Sequence, residues 1–199
     1  MRFGLLFAVV FAGLASFTQA AEAATHIYLL KGFANIFSTG LDTLAEKLVA
    51  RGYAAEVHNH IEAGELAAEA ARRQKADKGA VIIIGHSLGA DAAVSMAEMM
   101  HQKGAKVLLL VTFGLDGQQG APSNVAHVLN FSSGDDKITR GPGFKGTVKN
   151  VNINGSDGVN HFNVEKNERF QAKVIAEVLA TAPRHRTAPA RRSSVSANR

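Results

Sequence analysis

The stretch Val81-Ile82-Ile83-Ile84-Gly85-His86-Ser87-Leu88-Gly89 constrains the fold more than any other part of this chain. An unbroken β-branched run predicts a strand buried on both faces, and such a strand needs covering layers on either side of a mainly parallel sheet. Leu88 to about His101 reads as a helix, so strand and helix meet within Gly85 to Gly89. A turn this sharp brings the residues two before and two after its apex together, and glycine at both places removes the side chains that would clash. Ser87 stands at the apex. Its hydroxyl is lifted out of the sheet, with the positive end of the following helix beneath it. His86 is expected to be a turn residue whose side chain leaves in another direction.

The rest of the chain alternates short apolar runs with amphipathic stretches, the pattern of strands joined by helices. Strands are expected at His26 to Leu30, Tyr53 to Asn59, Val81 to Ile84, Lys106 to Phe113, Val125 to Phe131 and Thr147 to Ile153. Helices are expected at Leu41 to Arg51, Glu62 to Lys75, Leu88 to about His101 and Phe162 to Ala180. With about six strands and these helices between them, the expected fold is α/β: a three-layer sandwich with a mainly parallel sheet flanked by helices.

Both ends differ from residues 24–182, which form the expected single domain. Residues 1–23 run from Arg2 through an apolar stretch, Leu5 to Phe17, to Ala21-Glu22-Ala23. That order is expected of a secretory signal peptide, and the run is short of the roughly 20 apolar residues that span a bilayer. Export to the periplasm or medium follows, with no stable membrane insertion after cleavage. Residues 183–199 read as a disordered basic tail of Pro, Ser, Thr, Ala and Arg. Arg184, Arg186, Arg191, Arg192 and Arg199 lie there without an acidic neighbour and supply the whole formal charge of +5. The body is balanced, so the high pI of about 9.6 does not describe a basic globular face and nucleic-acid binding is not expected. With no cysteine, neither disulfides nor thiolate metal sites are available.

A serine hydroxyl becomes a nucleophile only beside a base. Of the histidines after Ser87, His101 falls at a helix end, His127 inside a strand and His185 in the tail. His161 remains, just after the loop Gly155-Ser156-Asp157-Gly158-Val159-Asn160 that follows the last strand. The acid that would orient it is Asp135, in the Gly-Asp-x-x-Ile spacing of Gly134 to Ile138, with Asp116 as the alternative one strand earlier. Oxyanion donors are expected at the backbone amides of Leu88 and of Phe33, or Ala34, in the loop after the first strand, where Gly32 lets the backbone turn. Phe33, Ile36 and Phe37 are candidates for core or for an acyl pocket. His58 and His60 could present two imidazoles on one strand face, but without a third ligand no metal site is assigned.

These residues resemble the α/β-hydrolase superfamily over about His26 to Ala180, most specifically through the Gly85 to Gly89 elbow. The resemblance implies lipase, esterase or thioesterase activity, with Ser87, His161 and one Asp as the carried-over triad and no cofactor. The body has no room for the family's early antiparallel strands or for a sizeable lid, so the implied enzyme is a minimal, lidless version. Small soluble esters, thioesters or exposed acyl chains are then the expected substrates. A non-catalytic exported binding protein that keeps the fold, or an acyltransferase using the same Ser87, are the competing expectations.

Overall fold

The computed structural model describes residues 24–33, 38–156 and 158–182. The expected signal peptide (1–23) and basic tail (183–199), together with Ala34, Ile36 and Phe37, lie outside the described residues. The chain runs β1 (Thr25–Lys31), α1 (Thr39–Val49), β2 (Ala54–Asn59), a 3₁₀ turn (His60–Glu62), α2 (Ala63–Asp77), β3 (Ala80–His86) and α3 (Leu88–Gln102). It continues through β4 (Val107–Phe113), β5 (Gln119–Ala121), β6 (Val125–Ser132), β7 (Ile138–Arg140), β8 (Thr147–Asn152), a second 3₁₀ turn (Val164–Lys166) and α4 (Glu168–Thr181).

Six strands form one sheet in the order β2-β1-β3-β4-β6-β8, and every neighbouring pair is parallel. The buried run of β3 shows why three layers are needed. Side chains alternate across a strand, so Val81 and Ile83 join the core under α2 and α3, whereas Ile82 and Ile84 join the core under α1 and α4. The helices answer with matching stripes: Leu41, Leu44, Ala45 and Leu48 on α1, and Phe170, Val174, Ile175 and Val178 on α4. No helix among the described residues is long and apolar enough to cross a membrane.

Two features differ from the sequence expectation. The four expected helices are present, but β5 with β7 forms a separate two-stranded parallel pair among the described residues. The terminal helix also starts at Glu168, not Phe162. The side chain of Asn167 accepts the N–H groups of Arg169 and Phe170, satisfying the free donors of a helix start. Residues 160–166 form turns instead, and that leaves His161 on a loop well clear of the helix.

Chain direction places the site. The connections reverse between β1 and β3, since β2 lies on one side of β1 and β3 on the other. Loops leaving the carboxyl ends of neighbouring strands diverge at such a point and leave a crevice. The loops after β1 and β3 are those that carry Gly32 and Ser87.

Candidate active site

The turn at Ser87 is as tight as the glycines require. A β-carbon on Gly85 would collide with the carbonyl oxygen of Gly89 across the turn, whereas one on Gly89 would collide with that of Leu30 on the neighbouring strand β1. Ser87 adopts φ 57°, ψ −128°, a conformation L-residues avoid. It is held there because its N–H donates to the Phe113 carbonyl (2.9 Å) while its own carbonyl accepts the N–H of Ala90 (2.6 Å). Leu88 is the first residue of α3, so its N–H has no acceptor within the helix and is free to serve an oxyanion.

His161 reaches this turn from the segment after β8, the strand at the edge of the sheet. Its Nε2 lies 3.0 Å from Oγ of Ser87. The loop is braced locally: Asn160 Oδ1 accepts the N–H of Phe162 (2.8 Å), Asn163 Oδ1 accepts that of Asn160 (2.8 Å), and Asn163 Nδ2 donates to the Gly158 carbonyl (2.9 Å). The other expected candidates are elsewhere. His101 sits in the last turn of α3 beside Ser123, and His127 lies within β6 with Nδ1 2.9 Å from Thr147 Oγ1.

The acid is not brought to the base. The Asp135 side chain is fully exposed, with Lys137 Nζ 3.8 Å away. Asp116 is exposed, and its backbone N–H donates to Asp91 Oδ1 at 3.4 Å. Asp136 Oδ1 accepts the Gly117 N–H at 3.1 Å. Among the described residues no carboxylate is hydrogen-bonded to Nδ1 of His161. Asp91, at the start of α3 and not among the candidates read from the sequence, is an acidic group within electrostatic reach of it. Burial pushes the Asp91 carboxyl above its usual range, while the hydrogen bonds it accepts from the Asp116 N–H and the Gln119 side chain, and attraction to His161, oppose the rise.

The loop after β1 packs directly on the elbow. A β-carbon on Gly32 would stand 2.9 Å from the His86 carbonyl oxygen and 3.1 Å from Cβ of Ser87. Phe33 is 69% exposed and so does not belong to the core, and Leu88 and Phe162 are exposed as well. Each is the chain neighbour of a residue at the centre: Gly32, Ser87 and His161.

His86 corrects the expectation of a turn residue. It is the last residue of β3, buried, with Nδ1 2.9 Å from Ser38 Oγ and Nε2 2.8 Å from the His161 carbonyl oxygen. Glu165, also buried, places Oε2 3.4 Å from the same Nε2. The signal was present: if the strand is run two residues past Ile84, period-two alternation puts His86 on the same face as Ile82 and Ile84, pointing into the α1 and α4 layer. His58 lies between Glu56 and Glu62 carboxylates, and His60 opens the 3₁₀ turn. Among the described residues no three His, Cys, Asp or Glu side chains are grouped to hold a metal ion.

An all-parallel sheet in this strand order, with a glycine-flanked serine elbow between its central strand β3 and α3, defines an α/β-hydrolase fold. No protein-family model matches the sequence, and no curated protein matches it. Among solved structures the chain is similar to YbtT, a type II thioesterase from the yersiniabactin NRPS/PKS biosynthetic pathway. The TM-score is 0.42 at 12% identity, over 80% of this chain and 94% of that one. A serine-to-alanine mutant of the same thioesterase gives a TM-score of 0.41 at 11% identity, over 78% of this chain and 95% of that one.

Proposed function

We propose that this protein is an exported serine hydrolase, periplasmic or secreted, that cleaves carboxylic esters or thioesters through an acyl-enzyme on Ser87. The observation that carries this is the 3.0 Å separation between Ser87 Oγ, at the apex of a strained elbow, and His161 Nε2.

Nε2 of His161 takes the hydroxyl proton as Oγ attacks the carbonyl carbon. Charge then develops on the carbonyl oxygen, and the amides of Leu88 and Phe33 receive it. When the tetrahedral adduct collapses, the bond to the alkoxide or thiolate breaks and that group leaves with the proton held by His161. Water then gives a proton to Nε2, attacks the acyl carbon and releases the acid with Ser87 restored. Asp135 is the acid proposed to hold the imidazolium, with Asp116 as the alternative; either must approach Nδ1 for the role.

The exposed apolar side chains beside the three central residues favour an acyl chain lying across an open surface over a small polar acid. Labelling with a fluorophosphonate and turnover of p-nitrophenyl esters and acyl thioesters of graded length test this. Wild type should label and should prefer longer chains; Ser87→Ala should do neither, and His161→Ala should label far more slowly. A Ser87→Ala protein that still turns over the panel like the wild type sinks the proposal, and a wild type that never labels points to a binding protein. Adding an alcohol to the assay separates hydrolysis from acyl transfer by its products.

A further inference from the structure

Three hydrogen bonds run in series beneath the elbow. The Gly32 N–H donates to Ser38 Oγ (3.1 Å), Ser38 Oγ lies 2.9 Å from His86 Nδ1, and His86 Nε2 lies 2.8 Å from the His161 carbonyl oxygen. Their directions are fixed by elementary bookkeeping of donors. A carbonyl oxygen only accepts, so Nε2 carries the hydrogen. A neutral imidazole then has a bare Nδ1, which takes the single hydroxyl proton of Ser38, and Ser38 keeps its lone pairs for Gly32. Every group in the series is satisfied by one tautomer of a neutral His86.

The series joins segments far apart in the chain. At one end is the loop proposed to supply an oxyanion amide; at the other is the backbone of the proposed base, 75 residues beyond His86. Filling space does not require a histidine here. Ile84, two residues earlier on the same face, does that with an apolar side chain, while burial costs His86 its protonated form and pulls its pKa down to about 4. The ionisable neighbours are Glu165, with Oε2 3.4 Å from Nε2, the His161 ring, centred 5.7 Å from that of His86, and Lys166.

We propose that His86 is a positioning residue that ties the oxyanion loop to the loop of the base, with Ser38 and the His161 carbonyl as its anchors. This rests on the roles given above to Ser87 and His161. Registration of the two loops is then set by one side chain buried behind the nucleophile, and losing it displaces both amide and imidazole.

The test combines kinetics with a measurement that needs no turnover. His86→Leu should lower kcat roughly 10- to 100-fold with KM little changed, the scale expected when reacting groups drift by about an ångström. His86→Gln, whose amide N–H can still reach the His161 carbonyl, should recover most of the loss. Ser38→Ala should lower kcat in the wild type and have little further effect in His86→Leu, because the series is already broken. In the intact protein, NMR of ¹⁵N-labelled histidine should show His86 as the neutral Nε2–H tautomer, unchanged from about pH 5 to about pH 8 although an ordinary histidine titrates there. A folded His86→Leu with wild-type kcat, additive effects of the two substitutions, or an Nδ1–H tautomer would each overturn the proposal. If His86→Leu does not fold, His86→Gln and Ser38→Ala decide it. If Ser87→Ala turns over esters as the wild type does, the hydrolase proposal fails, and the tautomer still decides whether the tie exists.

Discussion

Nδ1 of His161 faces Gly114 so closely that a β-carbon on that glycine would stand 2.8 Å from it and 3.1 Å from Cε1. Gly114 cannot retreat, because it follows β4 directly and its N–H donates to the Phe131 carbonyl at 2.8 Å. Its φ of +61° adds a backbone penalty for any other residue. Gly114→Ala should therefore push the imidazole off Ser87 and lower kcat by about 100-fold. Gly117 is the control: its φ is +70° but nothing lies within 4 Å of a β-carbon there. Gly117→Ala should show a similar loss in urea stability, about 1 kcal/mol, with turnover intact. Equal kinetics for the two variants would mean that the Gly114 contact does not hold the base.

The acid is tested by removing charge at constant shape. Asp135→Asn should lower kcat/KM by about 10³- to 10⁴-fold if Asp135 orients and stabilises the imidazolium, while Asp116→Asn should have little effect. The reverse result assigns the role to Asp116. Asp91→Asn is the third arm, since the Asp91 carboxylate is already in electrostatic reach of His161. Loss confined to that variant would remove both loop residues from the mechanism.

Ser87 stores strain. At φ 57°, ψ −128° a residue with a β-carbon costs about 1–3 kcal/mol, and glycine does not bear that cost. Ser87→Gly should thus abolish ester turnover and raise the unfolding free energy by about 1 kcal/mol, read from urea midpoints at unchanged slope. Ser87→Ala, which keeps the β-carbon, should abolish turnover without that gain. A Ser87→Gly protein no more stable than Ser87→Ala would show that the elbow is not strained.

What the sequence made legible followed from local periodicity and chemistry. Uniform burial of Val81 to Ile84, the glycines flanking Ser87 and the candidacy of His161 could all be read from residue order, because each depends on its immediate neighbours. The sequence places the start of α4 too early because Phe162 and Val164 continue the apolar pattern, whereas the deciding feature is the Asn167 cap inside that pattern. His86, Ser38 and Glu165 were hidden for another reason. They belong to β3, the entry to α1 and the turn before α4, and only tertiary packing brings them together. The acid stayed open between two loops because spacing along a chain does not determine which way an exposed carboxylate points.

The buried pair His86 and Glu165 gives a pH signature that becomes visible when either member is removed. Burial is the main cause on both sides: it lowers His86 from 6.5 to about 4 and raises Glu165 from 4.5 to about 7. Between pH 4.5 and 6.5 the folded pair binds one proton, on Glu165, and the unfolded pair also binds one, on His86. Equal proton counts leave stability independent of pH as far as this pair is concerned. In Glu165→Gln only His86 remains, and the unfolded chain binds the extra proton. Stability should then fall as pH drops from 6.5 towards 4, by about 3 kcal/mol relative to the wild-type curve. In His86→Gln the folded chain binds the extra proton on Glu165, so stability should fall as pH rises from 4.5 to 7, by a similar about 3 kcal/mol. Urea unfolding followed by circular dichroism across this range measures both slopes. Opposite deviations from the wild type are the expected result; curves that run parallel to it in both variants would show that the fold does not hold the two groups neutral.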